Sequence, residues 1–161
     1  MLGKLAKYLR ILGLDAGYTR DVRILMQYQG SSDPPYFLTR STRKPPYDRT
    51  ILIRSDKVRD QLQEIKEFIQ PFIDPGTVMN RCIECNVELA DVEKKDIEQK
   101  VPEFIFHRYR LFRICTKCGK VYWEGSHTTG MASLVREIVS PEGGRAVGRS
   151  EAEPGQERHD G

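Results

Sequence analysis

The sequence predicts an α/β protein in which a mainly parallel sheet with flanking helices is followed by a small module that contains four cysteines. In the first half, apolar segments of strand length alternate with segments of helical periodicity, the pattern of strands joined by crossover helices. All four cysteines lie between residues 82 and 118, and the C-terminal segment has few apolar side chains. We therefore divide the chain into a first domain at residues 1–75, a cysteine module with a terminal helix at 76–140 and a disordered tail at 141–161.

The first predicted helix is the segment MLGKLAKYLRILG. One face carries apolar residues at helical spacing and the other carries cations. Gly13 follows the last apolar residue, and a glycine at that place ends a helix by adopting a left-handed conformation. Small α/β domains usually begin with a strand, whereas this sequence begins with the helix. The apolar residues are Leu2, Leu5, Ala6, Leu9 and Leu12, and the cations are Lys4, Lys7 and Arg10.

The other predicted elements are short and follow from apolar periodicity. In the first domain they are strands at 14–18, 36–38 and 51–53, a helix at 21–28, and a helix that Ser55 can cap. In the cysteine module they are strands at 104–106 and 109–114 and an amphipathic helix that contains Met131, Leu134, Val135 and Ile138.

The charge is unevenly distributed along the chain. Residues 1–60 carry twelve Lys and Arg against six Asp and Glu, a balance of +6, and the remaining residues carry fourteen against seventeen, a balance of −3. A basic segment attracts phosphate backbones, because bound cations release the counterions of nucleic acid. An ordinary solvated surface is the simpler interpretation of the charge taken alone.

Nothing in the sequence indicates a membrane protein. There is no apolar run of the length that spans a bilayer. Lys4, Lys7 and Arg10 interrupt the apolar residues that a secretory signal would need to be continuous. We expect a cytoplasmic protein that does not contact a membrane.

The cysteines form two knuckles, Cys82-Ile-Glu-Cys85 and Cys115-Thr-Lys-Cys118. Two residues between thiolates let both sulfurs face one ion, and two such pairs complete the closed tetrahedral shell of a structural zinc site. Disulfides are an alternative that a cytoplasmic location disfavours. A redox dithiol would need only one pair. A catalytic zinc would require an open position, for example if His127 displaced a cysteine.

Two aromatic residues, Tyr122 and Trp123, lie close to His127 after the second knuckle. Small zinc modules need large aromatic side chains to fill a core, which is the interpretation we favour for both residues. The alternative is that Trp123 stacks on a base of single-stranded RNA. The other two histidines have no partner in the sequence and receive no role.

Taken together, these segments resemble the Mut-seven C-terminal ribonuclease family, a PIN-like nuclease domain fused to a zinc ribbon. The resemblance rests on MLGKLAKYLRILG, a following G-x-D, D-x-x-I-L, FLTR, RCIECN and CTKCGKVYWEGSH, and it covers residues 1 to about 138. It implies a metal-dependent ribonuclease, a hydrolase in which carboxylates at the ends of parallel strands hold Mg²⁺ or Mn²⁺. It also implies that RNA is the partner.

The resemblance implies three acidic positions, of which this chain matches one. The first family acid ends a strand before the first helix, and we expect that strand and its acid to be missing. The second matches Asp21. The third follows LTR in the family, whereas Ser41 occupies that place here, and a neutral hydroxyl is a weak metal ligand. Asp15, in the G-x-D, is better interpreted as a turn-capping residue.

The nearby cations Arg40, Arg43 and Lys44 are candidate phosphate contacts, with a solvated loop as the alternative. Three functions therefore stay open at this point. The chain is an active endoribonuclease, a degenerate nuclease that binds RNA without cleaving it, or a protein-interaction module that uses the zinc ribbon. We predict a ribonuclease-like, RNA-directed protein in which catalysis is impaired.

Overall fold

The computed structural model describes residues 2–43, 45, 47–123 and 129–139. It is a mixed α/β structure with one parallel and one antiparallel sheet. The helices are α1 (Gly3–Ile11), α2 (Val58–Glu64), α3 (Lys66–Ile69), α4 (Glu103–Arg108) and α5 (Thr129–Val139). The strands are β1 (Phe37–Thr39), β2 (Thr50–Leu52), β3 (Leu89–Val92), β4 (Phe112–Cys115) and β5 (Val121–Trp123). Short 3₁₀ segments occupy Val22–Tyr28, Gln70–Phe72, Pro75–Thr77 and Lys94–Asp96. The tail predicted at 141–161 lies outside the described residues.

The first sheet pairs β1 and β2 in parallel, with Leu38 opposite Ile51. This confirms the parallel pairing of two predicted strands, each displaced by one residue from its predicted place. The apolar face of α1 packs with α2 and α3 beneath this sheet, and α5 adds its own apolar side chains to the same core. The buried members of this core are Leu5, Leu9, Ile11, Leu12, Ile53, Leu62, Ile65, Ile69, Leu134, Val135 and Ile138.

The second sheet is antiparallel, in the order β3-β4-β5. One core cluster beside it contains Ile97, Val101, Ile105, Phe112 and Val121, and a smaller one contains Cys82, Leu89, Cys115 and Tyr122. The terminal helix α5 packs on α1 and α2, although the predicted division groups it with the cysteine module. The domain boundaries stay predictions, as does a missing strand ahead of α1.

Three local predictions are wrong. Residues 14–18 form no strand, because their backbone bonds to side chains: the Arg10 Nε–H donates to Ala16 O at 2.8 Å, and the Ala16 N–H donates to Asn86 Oδ1 at 3.0 Å. Residues 104–106 lie in α4, whose first turn closes on the carbonyl of Pro102. The helix after residue 55 begins at Val58 without a side-chain cap.

Glu64, the last residue of α2, holds the chain that precedes the helix. Glu64 Oε1 accepts the Arg54 N–H at 2.9 Å, and Glu64 Oε2 accepts the Ser55 N–H at 3.0 Å. These backbone hydrogen bonds, that of Arg54 first, lower the pKa of Glu64. The chain leaving β2 is therefore held by charge-assisted bonds to the last residue of α2.

Arg10 is buried, although the sequence placed it on the polar face of α1. Its side chain donates to Ile83 O at 2.7 Å and to Glu84 O at 3.0 Å, in addition to Ala16 O. This guanidinium therefore joins α1 to the first cysteine knuckle. Backbone groups tie the same segments together, since the Met79 N–H donates to Ile11 O at 2.8 Å.

Gly13 ends α1 as predicted, with φ +86. A second constraint comes from Thr77, because a Cβ at residue 13 would lie 2.5 Å from its Oγ1 and 2.7 Å from its carbonyl oxygen. Residue 13 must therefore be glycine for both backbone conformation and space.

We expect Gly13→Ala to lower the free energy of unfolding by roughly 2–4 kcal/mol, because it adds a strained left-handed residue and a clash with backbone. Chemical denaturation of the full chain measures this change. Gly30→Ala isolates the strain, since Gly30 has φ +78 and an open surrounding, and Gly17→Ala is a control without either feature. A Gly13→Ala protein no less stable than the Gly30→Ala protein would contradict the role of the Thr77 contact.

Candidate metal centre and nucleic-acid site

The two knuckles have the same local backbone structure. The first lies between α1 and β3, and the second lies at the turn between β4 and β5. In the first, the Cys85 N–H points to Cys82 Sγ at 3.4 Å and the Asn86 N–H donates to Cys82 O at 2.9 Å. The second repeats both contacts, from the Cys118 N–H to Cys115 Sγ at 3.4 Å and from Gly119 to Cys115 O at 2.8 Å. Each knuckle thus turns backbone amides toward its first sulfur.

The residue after each knuckle adopts a left-handed conformation, with φ +64 at Asn86 and φ +73 at Gly119. Glycine and asparagine are the residues that tolerate this conformation best. The Asn86 side chain has a further role, since its Nδ2 donates to Asp15 Oδ1 at 2.6 Å. Asp15 thus anchors the loop after α1 to the first knuckle, a structural role like the one predicted for it.

The four sulfurs converge on one point. The ligand atoms of Cys82, Cys85, Cys115 and Cys118 all lie within 4.8 Å of one another, and the sulfurs of Cys82 and Cys118 are 3.8 Å apart. A tetrahedral zinc with Zn–S bonds of about 2.3 Å has sulfur–sulfur edges of about 3.8 Å. The spacing therefore fits a zinc ion held by four thiolates.

All four cysteines are free thiols rather than disulfides. The sulfurs are close enough to influence one another: Cys118, and then burial, raises the pKa of Cys85 to about 12, and burial raises that of Cys115. Four neighbouring thiolates repel one another unless a cation lies between them. The donor set consequently suits a divalent metal, while His127 lies outside the described residues.

Tyr122 touches this centre, a contact that the sequence did not predict. Its side chain is buried, and its hydroxyl lies 3.2 Å from Cys82 Sγ. Burial alone would raise the pKa of Cys82, but hydrogen bonds from Tyr122 and the backbone amides of Cys85 and Glu84 outweigh it and lower the pKa to about 7. The core role predicted for Tyr122 is confirmed. The sequence feature that could have revealed the contact with the metal centre is the position of Tyr122, four residues after Cys118.

A second candidate site lies where the two parallel strands end. The carboxyl ends of parallel strands meet at one edge of a sheet, the usual place for ligands in α/β folds. Here Arg40 follows β1 and forms an ion pair with Asp56, which follows β2. Ser41 is exposed, and its Oγ accepts the Arg43 N–H at 3.2 Å. The residue in the family's third acidic position thus takes part in a turn.

Asp21 is positioned as the N-cap of the 3₁₀ segment Val22–Tyr28. Its Oδ1 accepts the Arg23 N–H at 3.0 Å and the Arg23 Nε–H at 2.9 Å, and its Oδ2 accepts from Arg23 Nη2 at 2.8 Å. The Arg23 side chain, followed by its backbone amide, lowers the pKa of Asp21. The carboxylate is ionised and 53% exposed, but both its oxygens are already engaged by a guanidinium.

No carboxylate cluster forms in the part of the chain that the structure describes. Within it, the four cysteines are the one group of three or more Cys, His, Asp or Glu side chains close enough to share an ion. Hard divalent cations such as Mg²⁺ need several oxygen ligands. Within the described residues, Asp21 therefore has no two further acids close enough to share a cation with it.

The predicted RNA-binding residues are distributed over both halves. Arg40 and Arg43 are exposed beside the edge of the parallel sheet, and Lys44 lies outside the described residues. Trp123 ends β5, where it is partly buried and packs against the larger core cluster of the cysteine module. The core interpretation of Trp123 is therefore confirmed, while its contact with RNA stays a prediction.

An open cavity of about 360 Å³ was not anticipated from the sequence. It is lined by Gly3 and Lys4 of α1 and by Tyr18 and Arg20, directly before Asp21. Two cations and an aromatic ring suit a nucleotide, with phosphate near the cations and a base on the ring. The lining residues come from two separate segments of the chain, and the periodicity within each segment does not reveal that they meet.

Comparison with known families shows to which family the chain belongs. A family model described as the Mut7-C RNAse domain matches residues 1–135. The chain belongs to this family. Membership in the Mut7-C family indicates a ribonuclease-type function with RNA as the substrate. No curated protein and no solved structure matches the chain significantly. Among the helices of the described residues, none has the length and apolarity to cross a membrane.

We expect the full chain to bind a single zinc ion per molecule through the four cysteines, since their spacing fits tetrahedral coordination. Metal analysis of the purified protein, and the visible spectrum after exchange with Co²⁺, test the stoichiometry and the thiolate ligands. Cys115→Ser should lose the metal and much of the stability. Thr116→Ser, one residue away and exposed, should lose neither. The protein would be purified under reducing conditions. If it then contained no bound metal, this result would contradict a zinc site.

We expect Tyr122→Phe to weaken zinc binding by roughly tenfold, because partners that hydrogen-bond to metal ligands typically contribute that much. The phenyl ring preserves the packing while the bond to Cys82 Sγ is lost. Competition with a chromogenic chelator measures the affinity, and Tyr109→Phe, in the same module, is the matched control. Equal affinities of the two variants would show that the hydroxyl does not support the centre.

Proposed function

We propose that this Mut7-C protein is an RNA-directed protein of PIN-like fold in which a structural zinc stabilises the cysteine module and metal-dependent phosphodiester cleavage is impaired. The observation that carries the proposal is the state of Asp21. It is the acid that matches the family pattern, and in the described residues it is bonded to Arg23 rather than grouped with further carboxylates.

The chemistry of phosphodiester hydrolysis explains why one carboxylate is not enough. When bound, Mg²⁺ or Mn²⁺ activates a water molecule and stabilises the leaving oxygen. Asp21 would be the residue that holds such an ion. To do so it must release at least part of its bidentate pair with Arg23, and Ser41 adds no negative charge at the third position of the family pattern. Both features lower the affinity for a hard cation.

Binding of RNA is supported by cations in two parts of the chain. Arg40, Arg43 and Lys44 follow β1, and the cavity beside α1 contributes Lys4 and Arg20. Exposed cations of this kind position a phosphate backbone without reading its sequence. Trp123, which is partly buried, is a further predicted contact. The four free thiols support the cytoplasmic location predicted for the protein.

The alternative is a protein-interaction module built on the same fold, with the cysteine module as the contact surface. The two possibilities differ in their dependence on salt. Binding to RNA weakens steeply as salt rises, because counterions compete for the phosphates. A protein that only contacts other proteins would show no such RNA binding.

We expect the chain to bind labelled single-stranded RNA in a salt-dependent manner and to cleave it in Mn²⁺ no faster than its Asp21→Asn variant does. Asparagine remains a good N-cap, so this change removes the charge without removing the cap. Asp91→Asn, in the antiparallel sheet, controls for the loss of an acid. Gel analysis of the RNA measures cleavage, and fluorescence anisotropy measures binding.

Cleavage that requires Mn²⁺, disappears in Asp21→Asn and persists in Asp91→Asn would contradict the impairment and establish an active ribonuclease. An absence of RNA binding at low salt would contradict the RNA-directed role and favour the protein-interaction alternative.

A further inference from the structure

Helix α4 and the loop after it form an exposed surface to which none of the functions above assigns a role. We call the side chains of Phe104, His107, Arg108, Arg110 and Leu111 the α4 surface. Phe104 is 68% exposed and Leu111 is 80% exposed, the two most exposed large apolar side chains among the described residues. Both belong to a small module that has its own apolar core nearby, yet neither packs into it.

The backbone beneath this surface is well anchored. Ile105 is buried in the core of the cysteine module, and Phe106 packs against the same cluster. The Tyr109 N–H donates to Ile105 O at 3.1 Å, and the Arg108 guanidinium lies 5.7 Å from the centroid of the Tyr109 ring. The helical part of the α4 surface therefore projects from a backbone that is anchored in the core of the module.

Helical spacing brings an aromatic ring and cations together on the solvent side. Phe104 and Arg108 are four residues apart and Phe104 and His107 are three apart, so that their side chains are neighbours on one face. The His107 ring also contacts the Phe106 ring edge to face, with centroids 5.5 Å apart. Arg110 and Leu111 continue this strip toward β4.

The charge of the strip is of one sign. Residues 104–113 contain three arginines, one histidine and no acid, whereas residues 88–103 contain six acids and three lysines. The acid nearest in sequence is Glu103, which lies 3.9 Å from His107 Nε2. Neither Arg108 nor Arg110 forms an ion pair with any residue that the structure describes, while Arg113 is paired with Asp91. Arg108 thus remains unpaired on the helix face that carries an exposed aromatic ring, and unpaired Arg110 follows in the loop.

This combination fits single-stranded nucleic acid better than an apolar protein groove. Proteins that bind single strands place aromatic rings, on which bases stack, beside cations that follow the backbone. A protein partner would have to supply acids to match unpaired guanidinium groups. RNA supplies both a stacking face and a phosphate at every nucleotide.

We propose that the α4 surface binds single-stranded RNA, with a base stacked on Phe104 and phosphates bound by Arg108 and Arg110. The inference rests on the RNA-directed role proposed above and adds a contact on the cysteine module to those beside the parallel sheet. The cysteine module would then act as part of the RNA-binding surface in addition to its structural role.

Fluorescence anisotropy of the full chain with labelled single-stranded RNA over a series of salt concentrations tests this surface. Phe104→Ala should weaken binding roughly tenfold with little change in salt dependence, because it removes stacking. Arg108→Ala/Arg110→Ala should lower the slope of log K against log salt by about 0.7 for each lost phosphate contact. The matched controls are Phe72→Ala, an exposed aromatic of the first half, and Lys95→Ala/Lys100→Ala, an equal loss of charge on the acidic segment.

Unchanged affinity in both α4 variants, with wild-type binding intact, would overturn this inference and leave the RNA-directed role standing, with the surface open to a protein partner. Equal losses of RNA affinity in the α4 variants and in their controls would also overturn the inference. They would show a general effect of charge or aromatic content rather than binding at the α4 surface. A wild-type chain that binds no RNA would overturn both proposals together. All the substituted residues are exposed, and thermal melts verify that the variants fold.

Discussion

The contact between α1 and the first cysteine knuckle depends on the buried guanidinium of Arg10. It is only 7% exposed, and it donates to the carbonyls of Ala16, Ile83 and Glu84. A buried charge is tolerated only where polar groups replace the lost water, and here three backbone carbonyls do so. Ile83 and Glu84 are the two residues between the first pair of cysteines. The first helix of the α/β half thus fixes the shape of the first knuckle.

The metal centre extends this coupling to the rest of the chain. The first knuckle is bound to α1, whereas the second lies at the end of β4 in the antiparallel sheet. A zinc ion shared by both would therefore connect the two halves as well as close the module. Because structural zinc contributes about 10–16 kcal/mol in small metal-binding domains, such an ion would outweigh any single hydrogen bond in the interface. The contact from Tyr122 to Cys82 places the core of the module directly against this centre.

The function follows from which charges are paired and which are exposed. Asp21, the acid that matches the family pattern, is neutralised by Arg23, and Arg40 is paired with Asp56 at the edge of the parallel sheet. Other cations, among them Arg43, Arg108 and Arg110, have no acidic partner within the described residues. A region in which the acid of the family pattern is already paired and several cations are free suits the binding of a polyanion better than the binding of a divalent cation. This is the physical basis for proposing RNA binding with impaired cleavage in a member of a ribonuclease family.

The sequence by itself determined the features that depend on local pattern. The two cysteine pairs, the end of α1 at Gly13, the two strands that pair in parallel and the helix at the end of the described chain all follow from spacing and periodicity over a few residues. Tertiary structure decided the rest. Residues 14–18 have the composition of a strand, but Arg10 and Asn86 take the backbone groups that a neighbouring strand would have paired. Residues 104–106 are apolar and aromatic like a strand, yet they are helical, with the N–H groups of Ile105 and Phe106 bonded to the carbonyl of Pro102. Arg10 and Tyr122 became central for the same reason: their partners lie 73 and 40 residues away, and a hydrogen bond between distant residues leaves no periodic trace in the sequence.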